Sequence, residues 1–180
     1  LAGLVLTLVA CSPQAPAPQA AQPAADILKP PPFSLDALPP DVRAAVDKAR
    51  AAETAALAKA ESARAMKAKG TSTPGIAVIE QVVEGIYEGP ALMARYEGEV
   101  QGGVYEGLGV LTLPDSAISQ AGEFRGGLMN GSGVERSVEG RPLYEGGWRD
   151  AGREGLGVEW TADGAVAQAG LWKDSSLAPK

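Results

Sequence analysis

The chain has 180 residues, 45% of them hydrophobic, with 23 glycines, 14 prolines, one cysteine and no histidine; 16 basic against 22 acidic side chains leave a net charge of -6. The lack of histidine excludes nucleophilic triads of the usual His-dependent kind and His/Cys zinc sites, and no EF-hand-like spacing of acids points to calcium. The acidic balance disfavours nucleic acid as a partner, since such binding draws most of its free energy from lysine and arginine.

Residues 1–10, LAGLVLTLVA, form an apolar run that ends at Cys11. Ten residues are too few to cross a bilayer, which takes about 20 in a helix, but they suit the core of a secretory signal. Neither methionine nor a basic stretch precedes Leu1, which points to a start further upstream. LVAC at 8–11 resembles the lipobox of bacterial lipoproteins. That resemblance implies cleavage before Cys11, lipidation of Cys11 and a membrane anchor; the alternative is an ordinary buried cysteine in a truncated helix. Ser12 in place of aspartate is similar to the enterobacterial signal for the outer membrane, implying a periplasmic-face or cell-surface location.

From Ser12 to Pro40 nine of 29 residues are proline, mixed with alanine and glutamine. This composition buries too little apolar surface to fold and predicts a disordered, semi-extended tether. Residues 41–69 hold twelve alanines and neither glycine nor proline, so a long helix is expected, with Gly70 as its cap and Lys67 and Lys69 at the negative end of its dipole. Positions 42, 46, 49, 53, 56, 60, 63 and 67 follow a 4,3 alternation. They read Val, Val, Ala, Glu, Ala, Ala, Ala, Lys, a narrow seam broken by Glu53 and Lys67. The helix therefore reads first as a solvated spacer, with homo-oligomerisation through a coiled coil as the alternative.

Residues 76–83, IAVIEQVV, predict a first strand. Beyond them a pattern returns every 24 residues, starting at Tyr96, Gln120, Tyr144 and Gln168. Two places on stands glycine (Gly98, Gly122, Gly146, Gly170), and four places on a large apolar residue (Val100, Phe124, Trp148, Trp172). A second glycine pair follows at Gly107 and Gly109, Gly131 and Gly133, and Gly155 and Gly157; Gly85, Ile86 and Tyr87 add a half copy upstream. A period of this size marks stacked units, each too small to bury its own apolar face. Turn signals near Gly102 and Gly103, Met129 to Gly131 and Asp150 to Gly152 make each unit a β-hairpin, and Pro114, Glu139 and Asp163 mark the turns between units. The 0, 2, 4 spacing of aromatic, glycine and aromatic places all three on one strand face, where a ring from a neighbouring copy can settle into the notch left by glycine.

The motifs YEGEVQGGVYEGLG at 96–109, QAGEFRGGLMNGSG at 120–133 and YEGGWRDAGREGLG at 144–157 resemble MORN repeats. Gln120 and Gln168 depart from the leading tyrosine, and Val100 from the second aromatic. The resemblance implies a mainly β fold, an elongated antiparallel β-hairpin sheet over residues 75–174, and a role in protein association or tethering. The residues after Asp174 are expected to form a mobile tail.

Residues 41–69 carry seven basic and four acidic groups, whereas residues 70–180 carry eight and sixteen. An acidic repeat domain suits neither nucleic acid nor anionic lipid head groups, and Glu97, Glu99, Glu106 and Glu145 read as a solvated face. Paired carboxylates such as Glu97 or Glu145 could in principle serve a glycosidase, but both belong to the repeated YEG. No enzyme, cofactor or metal is expected. The favoured reading is a lipid-anchored envelope protein whose β-array docks a protein partner, with Tyr96, Phe124, Tyr144, Trp148 and Trp172 as candidate partner-binding positions and a sheet edge open near Trp172. The alternatives are envelope glycan binding on exposed rings, including a link through Lys180, and an immunity-type role.

Overall fold

The computed structural model describes residues 35–83 and 92–179. Cys11 and the apolar run before it, residues 12–34 of the proline-rich segment, the Gly85–Tyr87 half copy and Lys180 lie outside the described residues. Within them one helix, α1 (Pro40–Lys69), precedes a sheet of β1 (Ile76–Val83), β2 (Leu92–Gln101), β3 (Val104–Leu113), β4 (Ile118–Arg125), β5 (Leu128–Ser137), β6 (Pro142–Arg149), β7 (Gly152–Trp160), β8 (Val166–Lys173) and β9 (Ser176–Leu177). The nine strands lie in chain order and every neighbouring pair is antiparallel.

Alanine content makes α1, and its ends are set locally. Pro40 occupies the first turn, where its missing N–H has no helical acceptor anyway, and Gly70 closes the helix with φ 65°. The helix crosses the strands of the sheet from β7 to β1. Its Val42, Val46, Ala49, Ala56, Ala60 and Ala63 are all buried. The expected solvated spacer is therefore not what forms. The 4,3 alternation is real, but the surface it meets is the chain's own sheet, so the seam needed for a coiled coil is already covered.

Each hairpin tip is a two-residue turn with both residues at positive φ: Gly102–Gly103, Gly126–Gly127, Asp150–Ala151 and Asp174–Ser175. Such turns match the twist of the strands they join. The second tip falls three residues before the predicted Met129–Gly131, which instead lie within β5. Each of the last three tips also leans on the preceding copy. The N–H groups of Gly127, Ala151 and Ser175 donate to the carbonyls of Tyr105, Met129 and Arg153 at 3.0, 2.9 and 3.0 Å. The expected mobile tail is partly ordered as β9, with Leu177 opposite Trp172, so the sheet edge is closed at Trp172. The outer edge of β8 from Val166 to Gly170 has no strand partner among the described residues.

Separately from Gly85–Tyr87, β1 itself repeats half of the pattern. Ala77 pairs with Gly98 as Gly109 does with Gly122, and Gly75, at φ 84°, receives the Val100 N–H at 2.9 Å. GIAV at 75–78 thus takes the place of GLGV at 107–110. Alanine for glycine and an offset of 32 rather than 24 residues hide it in the sequence.

Candidate functional site

The sheet has two unlike faces. On one, Val78, Glu97, Val110, Ala121, Val134, Glu145, Val158 and Ala169 lie side by side across eight strands, and α1 runs along this row. Leu38, Val42 and Val46 pack on Val158 and Trp160 at one end. Glu145, 1% exposed, receives a two-pronged fork from Arg50, with Nη2 at 2.8 Å and Nε at 3.1 Å. Arg136 answers in the opposite sense, forking onto Glu53 of the helix at 2.5 and 2.8 Å. Further along, Lys59 meets Glu99 at 2.7 Å, Arg64 meets Glu97 at 3.2 Å and Lys67 meets Glu80 at 3.3 Å.

Two sequence expectations are corrected here. Glu97 and Glu145, 7% and 1% exposed, are not a solvated face but the receiving ends of helix cations. Glu53 and Lys67 are not defects in a seam but its charged contacts. The signal lay in the charge counts, since a net basic helix beside a net acidic repeat region is what intrachain complementarity looks like.

On the opposite face runs a row of glycines, Gly98, Gly109, Gly122, Gly133, Gly146, Gly157 and Gly170, directly paired from β2 to β8. Tyrosine lies over it. A Cβ on Gly109 would fall among the atoms of the Tyr96 ring, and one on Gly157 among those of Tyr144. The ring filling the notch thus belongs to the same copy, not a neighbouring one as expected. In the middle copy, where Gln120 stands in place of tyrosine, the Met129 methyl takes that space over Gly133. Neighbouring copies meet through the second aromatic: Phe124 packs edge-on to Tyr96 with centroids 5.2 Å apart, and Trp172 to Tyr144 at 5.4 Å. Trp148 and Trp172 donate their indole N–H to the Gly133 and Gly157 carbonyls, both at 3.1 Å.

The Tyr96 and Tyr144 hydroxyls donate to the Glu99 and Gly147 carbonyls at 2.8 and 3.1 Å. Burial pushes both phenols well above their ordinary range, so they remain donors at any physiological pH. All five candidate positions, Tyr96, Phe124, Tyr144, Trp148 and Trp172, are at most 5% exposed. They form one continuous core and present no ring to solvent. Their spacing in sequence marked them as important; it could not tell a packing role from a contact role.

What this face does offer is a groove of about 250 Å³ across β2–β5. Tyr105, Leu111, Leu113, Ile118 and Met129 line it, and Val104 and Leu128, 45% and 37% exposed, stand at its rim beside the hairpin tips. Gln81 reaches in to donate to the Tyr105 hydroxyl at 2.6 Å. The sequence reading missed these residues, although Val104 and Leu128, and Tyr105 and Met129, recur at the same 24-residue step. The described residues contain no group of acids, histidines or cysteines able to hold a metal ion and no helix long and apolar enough to cross a membrane.

A model of the MORN repeat matches residues 96–118, 121–140 and 144–166. The chain therefore carries three MORN repeats, an array that suggests a repeat-based binding or scaffold module. Among curated proteins there is no match.

Proposed function

Starting from three MORN repeats with one face closed by α1, we propose that the other face docks a partner protein. The partner presents an extended apolar segment, which settles into the groove across β2–β5. The observation that carries this reading is the groove itself: an apolar trough whose rim residues Val104 and Leu128 stay exposed although the described aromatic rings of that face are buried. An extended segment lying over this face buries its alternate apolar side chains in the groove, so apolar burial supplies the affinity. The second half of the proposal is that Cys11 carries a lipid that holds this module to a bacterial envelope membrane, the residues before Leu35 acting as the tether. LVAC at 8–11 supports it.

A displayed peptide library selected on the full chain and counter-selected on Leu128→Glu tests the groove. Survivors are expected to carry apolar residues at alternate positions and to lose binding to the variant. A selection that returns no peptide able to tell the two proteins apart overturns the proposal. The anchor is tested separately by labelling cells with a radioactive fatty acid, where incorporation must disappear in Cys11→Ser. Glycan stacking has no exposed ring to use among the described residues.

A further inference from the structure

The helix and the sheet share a common measure. Seven helical residues advance about 10.5 Å, and two strands of a sheet span about 9.6 Å, so one heptad of α1 covers one hairpin. The charges keep this step. Arg50 and Arg64 are two heptads apart and bind Glu145 and Glu97, which are two 24-residue copies apart. Midway along the helix stands Leu57, and the equivalent position of the middle copy is Ala121: where the sheet lacks its glutamate, the helix lacks its arginine. The face beneath α1 thus reads a helix one heptad per repeat.

The attachment is uneven along that length. The N-terminal half, with Leu38 just before it, brings Val42 and Val46 and the fork on the nearly inaccessible Glu145. The buried residues of the C-terminal half are alanines, Ala56, Ala60 and Ala63, and its cations Lys59, Arg64 and Lys67 are 38%, 51% and 53% exposed. Alanine burial removes little apolar area from water, and half-exposed ion pairs contribute little. Lifting this half would uncover Glu80, Glu97 and Glu99 together. Glu97 would then keep Arg95, at 2.6 Å, but lose its helix cation.

We propose that the face under α1 is a helix-recognition surface, that the C-terminal half of α1 is its displaceable resident, and that a partner helix replaces it over β1–β3. The partner's chemistry is set by the resident's: small residues every seventh position facing the sheet, and cations placed to meet Glu97 and Glu99. This site lies on the face opposite the groove and does not depend on it. Because the resident helix competes in cis, the apparent affinity for an added helix is lowered by the fraction of time the site stands open.

The probe is a fluorescent peptide with the sequence of residues 53–69, titrated into the full chain by anisotropy. The comparison is a full-length Lys59→Glu/Arg64→Glu/Lys67→Glu variant, whose own helix is repelled by the three glutamates. Binding is expected to be weak to the wild type, at least about tenfold tighter to the triple variant, and lost again when Glu97→Gln and Glu99→Gln are added. Hydrogen exchange must show α1 beyond Ala56 opened in the triple variant with the sheet still protected. An opened helix with no gain in peptide binding overturns the proposal, as does a helix that stays protected despite the reversals. Should the reversals unfold the sheet, wild-type chain in 0.5 M sodium chloride is read by exchange, and unchanged protection of residues 56–69 overturns it equally.

Discussion

The Tyr144 ring occupies the space a Cβ on Gly157 would need, while Gly155, two residues earlier, has open space where its Cβ would stand and a backbone at φ 79°. The two glycines of one Gly-x-Gly are thus required for different reasons, one for room and one for conformation. Gly157→Ala is expected to cost about 2–3 kcal/mol by forcing the ring aside. Gly155→Ala is expected to cost about 1 kcal/mol, the strain of a left-handed alanine. Urea denaturation of both variants decides it; equal losses would mean the ring yields freely and the glycine row is not a packing device.

Arg50 and Arg64 make the same kind of contact on the same face of the sheet but differ in burial. Glu145 is 1% exposed and Arg50 supplies its closest cation, with Arg136 only at 3.9 Å, so Arg50→Gln should destabilise by about 3 kcal/mol. Adding Glu145→Gln should recover most of that, since the buried charge is then gone. Arg64 is half exposed and Glu97 keeps Arg95, so Arg64→Gln should cost less than about 1 kcal/mol. Thermal melts of the three variants supply the measurement.

The repeat was legible in the sequence because its parts are near in sequence: each glycine, ring and turn answers to residues of its own copy or the adjoining one. The first strand at 76–83 and the helix at 41–69, one residue short of its observed start, were legible for the same reason. What stayed hidden was relation across long separation. Arg50 and Glu145 are 95 residues apart, and no local pattern says that an alanine seam with a glutamate in it belongs on a sheet. The aromatic positions were found, but their burial was not legible, since an exposed platform and a buried ladder share one spacing. The side chain lying on glycine within each copy, Tyr96 on Gly109, Met129 on Gly133 and Tyr144 on Gly157, decides between them.

Ala151 sits at φ 64° in the tip between β6 and β7, where the first two copies have glycine. An L side chain there is strained by about 1–2 kcal/mol, partly offset in the comparison by the greater freedom glycine loses on folding. Ala151→Gly is therefore expected to stabilise the protein by about 0.5–1 kcal/mol without moving the Ala151 N–H bond to the Met129 carbonyl. A lower denaturation midpoint for the glycine variant would show that the methyl group contributes packing that outweighs the strain.

Stability should fall in acid through Glu99. Burial alone would push its carboxyl up, but the Leu108 N–H at 2.8 Å and the Lys59 ammonium at 2.7 Å more than offset this and hold it below the ordinary carboxylate range. A carboxyl whose folded pKa is depressed stabilises the folded state fully above its unfolded value, about 4.3 for glutamate, and loses that contribution as the pH drops through the lower folded value. Glu99→Gln keeps an oxygen for the Leu108 N–H but removes the titration. The stability gap between wild type and Glu99→Gln should therefore be widest near pH 7 and close as the pH falls below about 4. Lys59→Gln should narrow the gap at pH 7 by removing one of the two causes. Denaturant titrations across that range test the sign: a gap that widens in acid would mean burial, not the helix cation and the backbone amide, governs this carboxyl.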